Sequence, residues 1–490
     1  MDTYLMVESP SVQLQSTNTL DGDKQIRPED KQEDEKDHKM GPIVLAAAIG
    51  TVIEYYDFFI YGTLSTTLAS KFYRTGTTDG DLIYWLGSYA VGFLFRPFGG
   101  LIFGAMGDLL GRKITFLITL LTMGLCSFLI GCIPTLEGEY SIGPLAGYFL
   151  IFLRILQGLA LGGEFGGAAI YIGEYAPFNK RGYYTSFIML AAASGLTLSL
   201  MVLLVVRLSL GETAFVQWGW RIPFWLSIIL VVVSLKIRLQ MKESPIFQRL
   251  KDNGGGATSA SHAIKLSFFT SYNLKYVMMC LFGAAVGQGA VFFTSAFYTL
   301  TFTQAILKTP LITSYLIVGI PLLLSAPFGV LFGYLSDKFG RKPFMLLGMV
   351  CSVLAWYPAF IGLHHFGPFV DPRAKPLVAN DAHSPLMMGL IIFVLDFFTT
   401  LLYAPLSAFM IELFPTNIRY TSLSVPYNLG VGIVGGLVPV VAISMTSLTG
   451  NIYSSLWFPM FITTVCMFVN FAFVPETFQT DIECNADDNK

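Results

Sequence analysis

The 490-residue sequence has few charged residues for its length. Asp, Glu, Lys and Arg make up 13% of it, whereas a soluble protein carries about 25% because it needs a polar surface against water. Hydrophobic residues make up 54%, and the mean hydropathy is +0.62. This shortage of charge excludes an ordinary soluble domain and predicts that most of the surface faces lipid.

Signatures of several other classes of protein are also missing. The six cysteines have no metal-ligand or redox spacing, so we predict no metal site, no cofactor and no disulfide framework. The sequence contains no His-Glu-x-x-His motif and no Gly-x-Ser-x-Gly motif, which argues against an enzyme. The net charge is −2, and no basic stripe indicates a nucleic-acid partner.

Long apolar runs fill most of the chain. A helix needs about 20 residues to cross the hydrocarbon core, and twelve such runs have their centres near 54, 94, 122, 160, 195, 230, 287, 322, 352, 398, 433 and 463. The sequence therefore predicts an all-α membrane protein with twelve transmembrane helices in two pseudo-symmetric six-helix bundles. The predicted segments are a disordered tail (1–40), the first bundle (41–240), a linker (241–272), the second bundle (273–475) and a tail (476–490).

The loops differ in their basic residues, and this difference predicts the orientation. Lys and Arg divide 14 to 6 between the two sides of the membrane, and the richer side is expected to be cytoplasmic. That side would contain both termini and the linker. We therefore predict a multi-pass protein of the plasma membrane (the inner membrane in a bacterium).

A short loop motif occurs once in each half. GAMGDLLGRK (Gly104–Lys113) lies between spans 2 and 3, and GYLSDKFGRK (Gly333–Lys342) lies between spans 8 and 9. Gly, Asp, Gly, Arg and Lys recur at the same spacing. Duplicated halves of this kind are typical of transporters that have a central site between two bundles.

These loops, together with five further segments, carry a resemblance to a known family. The loops resemble the signature of the major facilitator superfamily. The further segments resemble its metabolite:proton symporters, which include osmoprotectant, α-ketoglutarate, citrate and shikimate permeases. These segments are GTVIEYYDFFIYG, RPFGG, RILQGLALGGEFGGAAIYIGEYAP, WGWRIPF and ELFPTNIRYT. The resemblance covers about residues 41–475. It implies proton-coupled import of a small polar metabolite, and we expect a monomer whose partners are that solute, protons and the bilayer.

The resemblance assigns a gating role to the repeated loops. The implied gate residues are Gly104, Asp108, Gly111, Arg112, Lys113, Gly333, Asp337, Gly340, Arg341 and Lys342. Charge-assisted hydrogen bonds between these Asp and Arg side chains would close one face of the protein. The family usually has a basic residue after the gate aspartate, but Leu109 follows Asp108, so the first gate is expected to lack one ion pair. Later acid-then-arginine pairs, Glu174 with Arg181 and Glu412 with Arg419, are expected to join the same latch.

Ionisable residues inside spans usually face a cavity, because their insertion into lipid is costly. Glu54 and Asp57 in span 1 are three residues apart and share a helical face. Two carboxylates this close resist ionising together, so one can hold a proton. We predict proton or substrate binding for at least one of them, with Asp57 favoured, and keep structural pairing with an arginine as the alternative.

Span 4 carries a polar stripe of Arg154, Gln157 and Glu164 within about an 80° arc. The Arg154 guanidinium suits a carboxylate, either of a substrate or of span 1. Small residues surround Glu164 and permit close helix packing. Substrate contact and structural pairing remain equal alternatives for Arg154, as do proton coupling and a structural role for Glu164.

Three more polar residues and several aromatic runs complete the candidate site. Arg96 in span 2 is expected to pair with an acid from span 1 or 4. Asp396 and Tyr403 in span 10 are seven residues apart, which favours a shared cavity-lining face. The runs Tyr55-Tyr56, Phe58-Phe59 and Phe397-Phe398 are interpreted as packing residues in preference to a cage for a cation.

With Arg96 and Arg154 available, a solute bearing a carboxylate, or a zwitterionic osmolyte, is the favoured substrate. The alternatives to import are proton-driven efflux of a small molecule and a non-transporting membrane sensor with the same fold.

Overall fold

The computed structural model describes residues 28–74, 78–137, 141–252, 259–371, 378–480 and 482. Within these ranges, twelve helices are long and apolar enough to cross a membrane. In order, they are Met40–Thr63, Gly87–Leu110, Arg112–Cys132, Leu145–Tyr175, Phe178–Gly219, Arg221–Leu239, Ser271–Ile306, Leu311–Phe339, Lys342–His365, Pro385–Leu413, Arg419–Thr449 and Ser454–Phe473. We call them spans 1 to 12.

Each predicted run centre falls inside one of these spans, so the predicted twelve-helix architecture is confirmed. Shorter helices lie between them, at Ser65–Phe72, Pro245–Asp252 and Ala260–Phe268. Two of these, Pro245–Asp252 and Ala260–Phe268, belong to the predicted linker of residues 241–272. Residues 253–258 of that linker lie outside the described residues.

The last part of the predicted disordered tail, residues 28–40 of 1–40, is helical in the structure. The helix of span 1 begins at Pro28, inside the range predicted to be disordered. Its first turns contain many Glu, Lys and Gln residues, which favour helix once an apolar span has nucleated it. Residues 1–27, and residues 483–490 of the other predicted tail, lie outside the described residues.

The two bundles meet along two equivalent helix pairs. Span 2 packs against span 11, and span 5 packs against span 8. The first glycine of each repeated loop makes these approaches possible. A Cβ atom on Gly104 would lie 2.9 Å from Cα of Thr421, and one on Gly333 would lie 2.5 Å from the carbonyl oxygen of Gly182. Both contacts are too short for any side chain, so these glycines set the distance between the halves.

Candidate functional site

A narrow cavity of about 20 Å³ lies between the two bundles. This volume is about that of one water molecule, so the cavity is occluded for any larger solute. Spans 1, 2 and 4 line one side and spans 7, 10 and 11 line the other. The lining residues are Tyr55, Phe58, Phe59, Arg96, Leu161, Gln288, Phe292, Phe293, Tyr403, Tyr427 and Val431.

Aromatic rings from both halves form most of this lining. The ring of Tyr427 stacks on Phe165 with centroids 3.6 Å apart. The hydroxyl oxygen of Tyr403 lies 3.0 Å from that of Tyr55 and 3.5 Å from that of Tyr427. Because Tyr55 belongs to the first bundle and Tyr403 to the second, this hydroxyl cluster joins the two halves at the cavity.

The predicted packing role of the aromatic runs is only partly correct. Tyr55, Phe58 and Phe59 line the cavity. Tyr56 instead donates a hydrogen bond to the carbonyl oxygen of Pro223 at 2.9 Å. Phe397, in the other run, packs among neighbouring rings of its own bundle. A run of aromatic letters does not reveal which ring faces the cavity, because that depends on the rotation of the helix against its neighbours.

Arg96 reaches the cavity with a different partner from the one predicted. Its Nε donates to Oδ1 of Asn428 in span 11 at 3.0 Å, and no described acid forms an ion pair with it. The Asn428 amide is held in place because its Nδ2 donates to the carbonyl oxygens of Gly162 at 2.6 Å and Ser424 at 2.7 Å. Arg96 lines the cavity, and its bond to Asn428 is the one hydrogen bond that it forms with the described residues.

Asp57 lies inside the first bundle and does not line the cavity. Its Oδ1 accepts a hydrogen bond from Ser227 of span 6, and Ser127 of span 3 also interacts with it. Its Oδ2 is buried and has no hydrogen-bond partner among the described residues. Ser127 accepts a hydrogen bond of 2.8 Å from Gln157, which connects Asp57 to the polar stripe of span 4.

Arg154 is fully buried at the other end of this chain of contacts. Its Nη1 donates to Oε1 of Gln157 at 2.8 Å. The guanidinium lies 4.1 Å from the ring centroid of Tyr61 and 5.2 Å from that of Tyr89. Its Nε and Nη2 have no hydrogen-bond partner in the described chain. The expected carboxylate partner is thus replaced here by an amide and aromatic faces.

Glu164 belongs to a second buried network nearer the gate. Its carboxylate pairs with Arg238 of span 6 and accepts a hydrogen bond from Thr119 of span 3. Arg238 also lies over the ring of Phe116 at 3.4 Å. Glu54 is 3% exposed and interacts electrostatically with Glu164 and Arg238. Arg238 lies one residue from the end of its span and was not among the predicted site residues.

Asp396 is also buried, but away from the central cavity. It is 1% exposed, and neither of its carboxylate oxygens has a hydrogen-bond partner among the described residues. Tyr403 lines the cavity while Asp396 does not. The predicted shared lining face is therefore wrong, because two turns of helix carry Asp396 beyond the cavity.

The repeated loops close one end of the bundles, which we call the gate face. The carboxylate of Asp108 accepts hydrogen bonds from the backbone N–H groups of Tyr420 at 3.2 Å and Thr421 at 2.9 Å, at the start of span 11. The Thr421 hydroxyl adds a third bond of 2.7 Å. Arg112 pairs with the same carboxylate at 3.1 Å.

The second gate repeats this geometry with the halves exchanged. Asp337 accepts hydrogen bonds from the backbone N–H groups of Gly182 at 2.8 Å and Tyr183 at 2.7 Å, at the start of span 5. Arg341 pairs with it at 2.7 Å. Each aspartate therefore binds the first N–H groups of a helix from the opposite bundle, where a negative charge is favourable.

The glycine of each gate turn has a backbone conformation that other residues rarely adopt. The φ angle is 113° at Gly111 and 95° at Gly340. This left-handed conformation lets span 3 and span 9 begin immediately after the turn. It brings Arg112 and Arg341 back toward their aspartates.

Further acids join the gate, in a crossed arrangement. Glu174 pairs with Arg419 at 2.8 Å and with Arg112 at 3.5 Å, while Glu412 pairs with Arg341 at 2.9 Å. Glu174, Glu412 and Arg419 were expected to join the latch, and each of them forms an ion pair at the gate face. Lys338 lies over the ring of Tyr334 and forms no ion pair with a described residue, so Leu109 removes no such pair from the first gate.

Two glutamates that the sequence analysis did not single out complete the gate. Glu243 accepts hydrogen bonds from the backbone N–H groups of Arg112 at 3.0 Å and Lys113 at 3.2 Å. Glu476 accepts from those of Arg341 at 2.8 Å and Lys342 at 3.0 Å. They follow spans 6 and 12, so they are equivalent in the two halves. The sequence contained a sign of this equivalence, because a short segment with a glutamate and a proline follows each span, KESP after span 6 and PETF after span 12.

The segment after span 12 crosses the gate face. Thr477 donates to Glu412 at 2.9 Å, and the carbonyl oxygen of Thr480 accepts from Arg181 of the first bundle at 2.9 Å. The carbonyl oxygen of Ile482 accepts from Arg419. This segment therefore adds another connection between the two halves on the closed side.

The duplicated bundles, the occluded central cavity and the paired gates define a secondary transporter of the alternating-access type. Comparison with protein families agrees. Residues 43–267 match the family described as "Sugar (and other) transporter", and residues 304–483 match the Major Facilitator Superfamily.

Curated relatives cover most of the chain. It is 31% identical over 440 residues to the glycine betaine/proline/ectoine/pipecolic acid transporter OusA of Dickeya dadantii (strain 3937), covering 88% of this chain and 82% of the relative. The identity to the proline/betaine transporter of Escherichia coli (strain K12) is also 31%, with the same coverage. The inner membrane metabolite transport protein YhjE of the same strain is 32% identical, over 82% of this chain and 86% of the relative. The chain belongs to the major facilitator superfamily.

Solved structures confirm the fold. The proton:xylose symporter XylE bound to 6-bromo-6-deoxy-D-glucose matches with a TM-score of 0.73 and 19% identity, over 91% of this chain and 98% of the other. An inward-open conformation of XylE from E. coli matches with a TM-score of 0.58 and 19% identity, over 89% and 97%. The sequence predictions of a multi-pass transporter and of a non-enzymatic function are therefore confirmed.

Proposed function

We propose that this transporter imports a small zwitterionic solute together with protons, by alternating access, and that its gate face lies in the cytoplasm. The observation that carries the proposal is the central cavity, where one arginine stands among aromatic rings. The protein would work as a monomer, because each half contributes its own side of the cavity and its own gate.

The cavity offers a different partner to each end of a zwitterion. Arg96 presents a guanidinium with N–H groups that suit a carboxylate. Tyr55, Phe58, Phe293 and Tyr427 supply ring faces that attract a cationic nitrogen, most strongly when it is alkylated and weakly hydrated. Sugars lack both charges. The names of the relatives, which include glycine betaine and proline transporters, support the same class of solute.

Proton coupling is assigned to Asp57. In this state one of its oxygens has a hydroxyl donor and the other has none, an arrangement that suits a protonated acid. Loss of the proton would leave a buried anion, which is costly without a cation. Arg154 supplies that cation, with two unpartnered N–H positions, and Gln157 and Ser127 connect the two sites. A change in the charge of Asp57 would therefore change the packing of spans 1, 3, 4 and 6.

The gate supplies the alternation. When the gate face is closed, as in this structure, Asp108 and Asp337 bind the opposite bundle. Solute and proton binding must favour a state in which these contacts are broken. The 14-to-6 division of basic residues supports the cytoplasmic placement of this face.

The test of coupling is uptake of glycine betaine into proteoliposomes, with and without an inward proton gradient. Asp57→Asn should abolish accumulation driven by the gradient while downhill exchange continues, because the amide cannot load a proton. Asp396→Asn is the matched control, since Asp396 is equally buried and also does not line the cavity, and this variant should keep gradient-driven uptake. If uphill uptake by Asp57→Asn equals that of the unmodified protein, Asp57 is not the coupling residue.

The test of recognition compares solutes in the same vesicles. Arg96→Gln should weaken glycine betaine binding by about ten-fold or more, because it removes a charge-assisted contact worth about 1.5–3 kcal/mol. Arg74→Gln is the control, since Arg74 is exposed in a surface ion pair with Glu137. Equal affinities in the two variants, or better competition by xylose than by proline, would exclude the proposed recognition.

A further inference from the structure

A second cavity, of about 1090 Å³, lies at the gate face outside the transport pathway. It is bounded by the first turns of span 1, the last turns of spans 4 and 6 and the short helix Pro245–Asp252. Along span 1 its lining extends from Met40 to Ile49, which corresponds to about 14 Å at the rise of an α-helix. The cavity is therefore deep along the membrane normal.

The deep wall of this cavity is apolar. Ile43, Leu45, Ala46, Ile49 and Ile237 line it, and Leu45 is 60% exposed. An apolar wall of this depth at the side of a membrane bundle suits an acyl chain. A small hydrophilic ion would leave it uncovered.

More basic than acidic side chains line the mouth of the cavity. Arg181, Lys242 and Arg249 contribute three positive charges to the lining, and Glu174 contributes one negative charge. Glu174 is already paired with two gate arginines. Lys242 and Arg249 are exposed, at the level where the helices leave the membrane. Basic pockets between helices at the cytoplasmic surface are typical binding sites for anionic lipid headgroups.

We propose that this cavity binds one anionic phospholipid, with its phosphate headgroup at Lys242 and Arg249 and one acyl chain along span 1. The proposal depends on the gate face being cytoplasmic, as proposed above, and does not depend on the transported solute. Because Glu174 and Arg181 contribute both to this cavity and to the gate, a bound lipid contacts the closed state directly.

The experiment uses the full-length protein in phosphatidylcholine vesicles that contain a photoreactive phosphatidylglycerol or, at equal mole fraction, a photoreactive phosphatidylcholine. Mass spectrometry then measures labelling of peptides that contain residues 40–49 and 237–249. We expect the anionic lipid to label both peptides in preference to the neutral one. Lys242→Gln combined with Arg249→Gln should weaken this binding by about 30-fold, since each basic residue near the surface contributes about five-fold.

The matched control combines Lys265→Gln with Lys275→Gln. It removes the same charge from exposed positions on the same face that do not line the cavity, and it should keep the labelling. Ala46→Trp fills the apolar wall without a change of charge and should also abolish labelling, which preserves a test if the charge variant fails to fold. Inorganic phosphate should not compete, because the acyl chain contributes to binding.

Several results would overturn the proposal. Among them are equal labelling by the two lipids, equal loss in the charge variant and its control, and competition by free phosphate. Crosslinking of the cavity to the acidic residues 483–490 in place of lipid would also overturn it, since this chain's own tail would then be the occupant. Selective labelling that both cavity variants lose would support it.

Discussion

The gate aspartates provide the sharpest test of the transport mechanism. Asp108 uses both carboxylate oxygens to accept the backbone N–H groups of Tyr420 and Thr421. An asparagine at this position offers one oxygen and one NH₂ group, so one backbone N–H would face another donor. The variant loses one charged hydrogen bond and the negative partner of Arg112, which together cost about 2–3 kcal/mol. Asp108→Asn should therefore increase the ratio of gate-open to gate-closed protein about 30- to 150-fold.

Asp337→Asn should have the same effect, because its carboxylate accepts two backbone N–H groups in the same way. The two aspartates share no partner, so their free energies should add. The double variant should then increase the ratio by roughly 1000-fold or more. An increase of this size makes the open state measurable even when it is rare in the unmodified protein.

Distances between spin labels measure this ratio. Leu110 and Phe339 hold equivalent positions in the two halves and are 53% and 68% exposed, so a label on each reports the opening of the gate face. Asp252→Asn is the control, since Asp252 is an exposed acid in the linker helix Pro245–Asp252. A double aspartate variant with the same distance distribution as Asp252→Asn would refute the assigned role of these helix-capping contacts.

Three further outcomes follow from the structure. Gly340→Ala should lower the stability of the purified protein by about 1–3 kcal/mol, because a φ of 95° is strained for a side chain; an unchanged unfolding temperature would contradict this. Removal of residues 480–490 should raise the gate-open fraction measured with the same labels, since it removes the acceptor of Arg181; a shift toward the closed state would count against it. Arg154→Lys keeps the charge but loses the planar stacking on aromatic rings, so gradient-driven uptake should fall at least about ten-fold; full activity would show that charge alone suffices.

The sequence was sufficient for the spans, the duplication and the identity of the gate loops. The apolar runs had to be about 20 residues long to cross the membrane, and this requirement fixes their number independently of how they pack. The repeated loops could be matched by letters alone. The sequence also predicted that glycines belong to these loops. The structure gives the reason at Gly111 and Gly340, whose left-handed φ angles other residues rarely adopt.

The sequence also predicted the buried charges, but most of their partners were wrong. Arg96 was expected to meet an acid and meets Asn428, while Arg154 meets Gln157 and the ring of Tyr61. Arg238 was not among the predicted site residues and is the partner of Glu164. Each of these contacts joins helices that are far apart in the chain, and a helical pattern contains no information about the rotation of its neighbours.

Hydropathy and residue spacing are local properties of the chain, and for this protein they determined which segments enter the membrane and which loops repeat. Only the tertiary structure decided which aromatic rings face the cavity, which helix N-terminus each gate aspartate binds, and that Asp57 and Arg154 are buried within their bundle and do not line the cavity. The physical reason is that these outcomes depend on how twelve helices pack side by side. Rotation of a helix by a single residue, about 100°, would give every polar side chain a different partner.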